Sequence, residues 1–234
     1  MEKEIIRVLK VVKSFKGVLA LNSVSLSVGS GEMLGVIGPN GAGKTTLINV
    51  INGIYKPDSG QILFNGIGLN QLSVHQIARL GVARTFQIAR IFRRLSVLDN
   101  LLASSFEREA KERALMLLDF VGLLDKRDQY AFELSGGQQK LLEFARALIA
   151  RPKVVLMDEP FAGVHPEVRD KLIESIKEMN RSGVTFLVVS HDMQTISELC
   201  PRLVVLVAGE KVAEGGPEEV LGSEAVIEAY LGRG

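Results

Sequence analysis

Residues 38–46 read Gly38-Pro39-Asn40-Gly41-Ala42-Gly43-Lys44-Thr45-Thr46, a match to G-x-x-x-x-G-K-[ST]. Such a loop works only between a strand and the helix that follows it, so the motif dictates its own flanks. Both flanks are present. Met33-Leu34-Gly35-Val36-Ile37 is an apolar strand candidate, and a helix candidate opens at Lys44 and runs through Leu47, Ile48, Val50 and Ile51 before Gly53 stops it. Glycines let the backbone curl so that successive N–H groups point inward, which makes an anion nest at a helix N-terminus. Lys44 is placed to reach the β- and γ-phosphates of a nucleoside triphosphate, and the Thr45 hydroxyl to ligate Mg²⁺. The motif therefore predicts an α/β phosphate-loop (P-loop) nucleotide-binding core.

With 234 residues, 47% of them hydrophobic, the chain can bury roughly 70–75% of its unfolded surface and needs neither a disulfide nor a structural metal. Basic residues number 28 and acidic residues 27, so no whole-molecule field draws it to nucleic acid or an anionic bilayer. No nucleic-acid partner is expected. The single cysteine, Cys200, fits a reducing compartment and reads as a passive, half-buried thiol. The longest apolar runs, such as Leu203-Val204-Val205-Leu206-Val207, have strand length, below the ~20 residues of a membrane span. The opening Met-Glu-Lys-Glu has no signal-peptide pattern, and a soluble, intracellular chain is expected.

Around the loop, short β-rich pieces (8–12, 18–21, 24–28 and 61–66) alternate with polar positions and predict a flanking antiparallel sheet. Between residues 90 and 151 the period becomes helical: Leu98, Leu101 and Leu102, then Leu115, Leu117, Leu118, Phe120 and Val121, then Leu141, Leu142, Phe144, Ala145 and Leu148. That block reads as a helical insertion. Two continuous apolar runs follow, Val154-Val155-Leu156-Met157 and Val184-Thr185-Phe186-Leu187-Val188-Val189, as expected of parallel strands buried on both faces. No linker separates two domains, so residues 1–234 are expected to form one unit with a mostly parallel core sheet.

Asp158 and Glu159 end the first of those runs, at the strand edge where open α/β sheets bind ligands. An Asp there can hold Mg²⁺ through water, leaving Glu159 to act as general base or orienter of the attacking water. Leu134-Ser135-Gly136-Gly137-Gln138 precedes an amphipathic helix, with Ser135 a candidate N-cap over bare N–H groups. In this order, the loop, the five residues 134–138 and the Asp158-Glu159 strand end resemble the ATP-binding cassette (ABC) ATPase family over essentially the whole chain.

The resemblance implies ATP and Mg²⁺ as ligands and a head-to-tail pair of cassettes, homo- or heterodimeric, in which Ser135, Gly136, Gly137 and Gln138 of one copy close on the γ-phosphate held by the other. It implies that Phe15 stacks on adenine. It implies that Gln87, after Arg84-Thr85-Phe86, senses Mg²⁺ and the attacking water and links the core to a helical subdomain at 88–150, and that His191 is the switch histidine on the γ-phosphate. Where the family commonly has Asp at the end of the loop after Pro160, this chain has His165, which would make that contact responsive to pH.

A cassette without a membrane span implies separate transmembrane permease subunits and a place on the cytoplasmic, inner face of the cell membrane. The segment 88–105, with an exposed-looking Ile91-Phe92 pair, is where family members receive the channel's coupling helix. Residues 81–87, Phe161-Ala162-Gly163 and the ending 226–232 resemble the subgroup that energises branched-chain amino-acid importers. The lipopolysaccharide-export ATPase is similar in the same stretches, and a non-transport cassette serving a soluble assembly is the reading from another class.

Overall fold

The computed structural model describes residues 4–107 and 109–231. The chain opens with two long antiparallel strands, β1 (Glu4–Phe15) and β2 (Val18–Gly29), then enters a second sheet as β3 (Met33–Ile37) and leaves it in α1 (Lys44–Ile51). It returns to the first sheet as β4 (Ser59–Phe64) and β5 (Ile67–Gly68), and passes through α2 (Val74–Leu80) to β6 (Val82–Arg84). Three helices follow: α3 (Val97–Leu102), α4 (Lys111–Phe120) and α5 (Gly136–Leu148). The second sheet then resumes with β7 (Val154–Asp158), α6 (Pro166–Arg181), β8 (Thr185–Val189), α7 (Met193–Leu199) and β9 (Arg202–Val207). A hairpin adds β10 (Glu210–Gly215), and α8 (Pro217–Leu221) and α9 (Glu224–Leu231) close the described chain. Gly232, the last residue of the ending that resembles importer cassettes, lies outside the described residues.

The first sheet has the order β2-β1-β4-β5, and the second has β10-β9-β3-β8-β7-β6, parallel except for β10. Its central strands are apolar along most of their length because both faces are covered. Phe186 and Val188 of β8 enter the core under the helices, while Leu187 and Val189 enter the core between the two sheets. Helix α1 lies in that second core, where Leu47, Ile48, Val50 and Ile51 are all buried. Each such side chain contributes roughly 1.5–3 kcal/mol by leaving water, so the helix carrying the phosphate loop is anchored from below.

Two expectations need correction. The short pieces read at 8–12, 18–21 and 24–28 are parts of two twelve-residue strands; Lys10 (φ +46°) and Ser23 (φ +51°) interrupt the alternation, and register shifts near both carry the strands past them. Cys200 is fully buried, not half-buried, because α7 packs it against Gly35 of β3. Among the described residues, no helix is long and apolar enough to cross a membrane.

Candidate functional site

The C-terminal ends of β3, β7 and β8 open on one edge of the parallel sheet, and the predicted residues meet there. The loop 38–46 leaves β3 in a conformation only glycine tolerates. Gly38 (φ +151°) and Gly43 (φ +101°) have no room for a side chain, since a Cβ would sit 2.0 Å from the Leu206 carbonyl oxygen at the first and 2.4 Å from that of Ala20 at the second. Gly43 caps α1 with no side-chain hydrogen bond, which leaves the first-turn N–H groups for a ligand. Lys44 is buried at 7% exposure and donates from Nζ to the carbonyls of Gly38 (2.6 Å) and Pro39 (3.0 Å). Burial pushes its pKa down, partly offset by Glu159 and Asp158.

Asp158 ends β7 with its two oxygens assigned to different partners: Oδ1 accepts from the Thr45 hydroxyl at 3.2 Å, and Oδ2 from Arg84 Nη2, also at 3.2 Å. Burial pushes the Asp158 carboxyl up, and the Arg84 charge and the Thr45 bond oppose it. Glu159 follows in the left-handed region (φ +49°), a conformation that costs a non-glycine residue about 1–2 kcal/mol. Three bonds hold it there. Its N–H donates to the Val189 carbonyl at 2.9 Å, and its Oε2 meets His191 Nδ1 at 2.8 Å and the His191 N–H at 3.3 Å. His191 is therefore tied to the carboxylate directly, which leaves Glu159 Oε1 outside that clasp.

A cleft of about 570 Å³ is lined by the loop together with Ala20, Gln87, Glu159 and His191. Phe15 does not line it; the ring stands edge-on to Tyr55 with centroids 5.0 Å apart and is 37% exposed. Nor do Ser135, Gly136, Gly137 and Gln138 line it. They form the start of α5, where Ser135 Oγ accepts the Gln138 N–H and Gln138 Oε1 accepts the Ser135 N–H. That box leaves the N–H groups of Gly136 and Gly137 outside it. Of the expected contact pair at 91–92, Phe92 is exposed, whereas Ile91 is partly buried against the core. His165 stands exposed at the N-terminus of α6 and makes no side-chain cap there. Sequence reasoning missed Arg84 as a site residue; the available signal was a cation ending a strand beside the one that ends in Asp158.

Comparison with known proteins gives the geometry a family. Residues 21–162 match the family described as ABC transporter, and residues 210–234 match the one described as Branched-chain amino acid ATP-binding cassette transporter. The chain belongs to the ABC transporter family of ATP-binding cassettes. It is 39% identical to the probable branched-chain amino acid transport ATP-binding protein LivG of Archaeoglobus fulgidus, over 94% of this chain and 92% of that protein. The crystal structure of a nucleotide-free ATP-binding cassette from an ABC transporter has a TM-score of 0.92 and 35% identity, covering 98% of this chain and 100% of that one. A dimeric cassette in a post-hydrolysis state bound to ADP and Pi has a TM-score of 0.82 and 28% identity, covering 91% of this chain and 98% of that one. As an ABC cassette the chain binds ATP and hydrolyses it.

Proposed function

We propose that this cassette powers the import of branched-chain amino acids through separate transmembrane subunits, working as a head-to-tail pair on the cytoplasmic face of the membrane. The observation that carries the catalytic part is the convergence of the loop 38–46, Asp158, Glu159 and His191 at one sheet edge. The cargo rests on the likeness to LivG and on the match over 210–234, and the pairing on the dimeric neighbour. Residues 1–234 act as one cassette, with the helices of 88–150 inserted between β6 and β7.

In the reaction Lys44 and the first-turn amides of α1 bind the β- and γ-phosphates and offset the charge that develops on the transferring phosphoryl group. Phe15 takes the adenine, and residues 135–138 of the second copy cover the γ-phosphate. Glu159 Oε1 orients the attacking water and accepts its proton, while His191 keeps the other oxygen occupied and contacts the γ-phosphate. The donor set fits Mg²⁺, since Thr45 Oγ1 and Asp158 Oδ1 are hard oxygens 3.2 Å apart and Gln87 brings an amide to the same cleft. When bound, the ion would neutralise part of the phosphate charge. Phe92 and the 83%-exposed Ile88 offer the transmembrane subunit an apolar landing place.

The test uses vesicles carrying the cassette with its membrane partner and an external leucine-binding receptor. Wild-type protein takes up labelled leucine as it hydrolyses ATP. Glu159→Gln keeps its ATP affinity and loses about 10²–10⁴ in turnover, and uptake with it. Turnover by the variant at the wild-type rate refutes the catalytic assignment, and ATP hydrolysis without amino-acid uptake refutes the cargo.

A further inference from the structure

Helix α5, capped by Ser135, begins outside the cleft, yet its flank grips the segment that carries Gln87. Lys140, Glu143 and Arg146 are spaced three residues apart and fall along one side of the helix. Lys140 Nζ donates to the Gln87 carbonyl at 2.7 Å. Glu143 Oε1 accepts the N–H groups of Phe86 (3.3 Å) and Arg90 (2.9 Å), and Arg146 donates to the Arg90 carbonyl. All these contacts are to main chain, so they fix the path of residues 86–90, within which Gln87 lines the cleft. Lys140 does one thing more. It donates at 3.2 Å to the carbonyl of Glu159, the residue whose carboxylate is clasped by His191.

We propose that Lys140 is a positioning residue that sets the separation of Gln87 and Glu159 and ties both to α5. The inference rests on the reading of the cleft given above and adds a residue that reading does not use. This ammonium bonds to the main chain of two residues, from different segments, that both line the cleft. Burial disfavours its charge, and the carboxylates of Glu143, Glu159 and Asp158 offset part of that. Lys140 lies five positions beyond Ser135, about 7.5 Å along the helix axis. The link therefore makes a change at Gln87 or Glu159 felt at the helix tip that serves the other copy.

The test compares Lys140→Met, which keeps the apolar stem, with Lys140→Arg, which keeps the donors, alongside Glu159→Gln. Lys140→Met is expected to lower kcat about 10- to 100-fold while KM and the Kd for ATP stay within about two-fold, as a misplaced base rather than a lost binding contact requires. Lys140→Arg is expected to recover kcat to within about three-fold of wild type. If Lys140→Met does not fold, Lys140→Gln is read in its place. An unchanged kcat, a parallel loss of ATP affinity, or failure of Arg to restore turnover overturns the proposal while leaving the cleft intact, provided Glu159→Gln is inactive. A wild-type chain without turnover, or a Glu159→Gln chain with it, overturns both.

Discussion

Arg84 and Asp158 face each other with side chains only 5% exposed, so their attraction acts largely out of water. Burial lowers the Arg84 pKa, and the neighbouring Asp158 raises it. Arg84 also donates to Asn49 and lies over the Phe86 ring at 4.5 Å, so several contacts fix the cation. Removing one partner of such a pair strands the other charge, at a cost of about 3–5 kcal/mol. Arg84→Met should lose stability of that order in urea unfolding, and Arg84→Met with Asp158→Asn should recover most of it; a single variant as stable as wild type would show that the pair holds nothing. Among single residues, Lys44, Thr45, Asp158 and Glu159 were legible because each sits at a fixed offset from a glycine loop or a strand end. Arg84 was not, because its meaning depends on a strand 70 residues further on.

At the level of elements, the join between β1 and β4 is sensitive to acid. Asp58, just before β4, accepts from Lys13 Nζ (2.6 Å), from the Ser14 N–H (2.6 Å) and from the Ser14 hydroxyl (2.9 Å). The Lys13 bond, followed by those from Ser14, pulls the carboxyl from 3.8 down to about 2. A carboxyl lowered on folding stabilises above its unfolded value and stops doing so as pH falls through its folded one. The contribution is therefore whole above 3.8 and lost toward about 2. Asp58→Asn should narrow the stability difference between pH 4 and pH 2 at low salt, as read by denaturant midpoints; an unaltered pH slope contradicts the assignment. Helices and core strands were readable from their periods, and α1, α5, β7 and β8 lie where the pattern predicts them. The full length of β2 was not, since the irregularity at Ser23, between the pieces at 18–21 and 24–28, mimics a strand end in sequence and only pairing reveals the continuation.

Over the whole molecule, two apolar cores lie on either face of the parallel sheet, one under the helices and one against the antiparallel sheet. Cys200 belongs to the first, and burial pushes its thiol up to about 12. A thiol reagent at neutral pH should label the native protein only at its unfolding rate, and immediate stoichiometric labelling would refute that burial. Its depth was hidden from the sequence because the absent side chain of Gly35 is what admits Cys200, Ile196 and Leu203 so closely.

The hairpin between β9 and β10 has a similar reach. Gly209 receives the Asn22 N–H at 2.8 Å and donates to the Ala42 carbonyl at 3.1 Å. One turn thereby stitches the antiparallel sheet to the very bend proposed to embrace phosphate. On the proposed reading of the cleft, nucleotide grip would be a property of this seam: a lesion at Gly209 would loosen the hold on ATP by way of the Ala42 carbonyl.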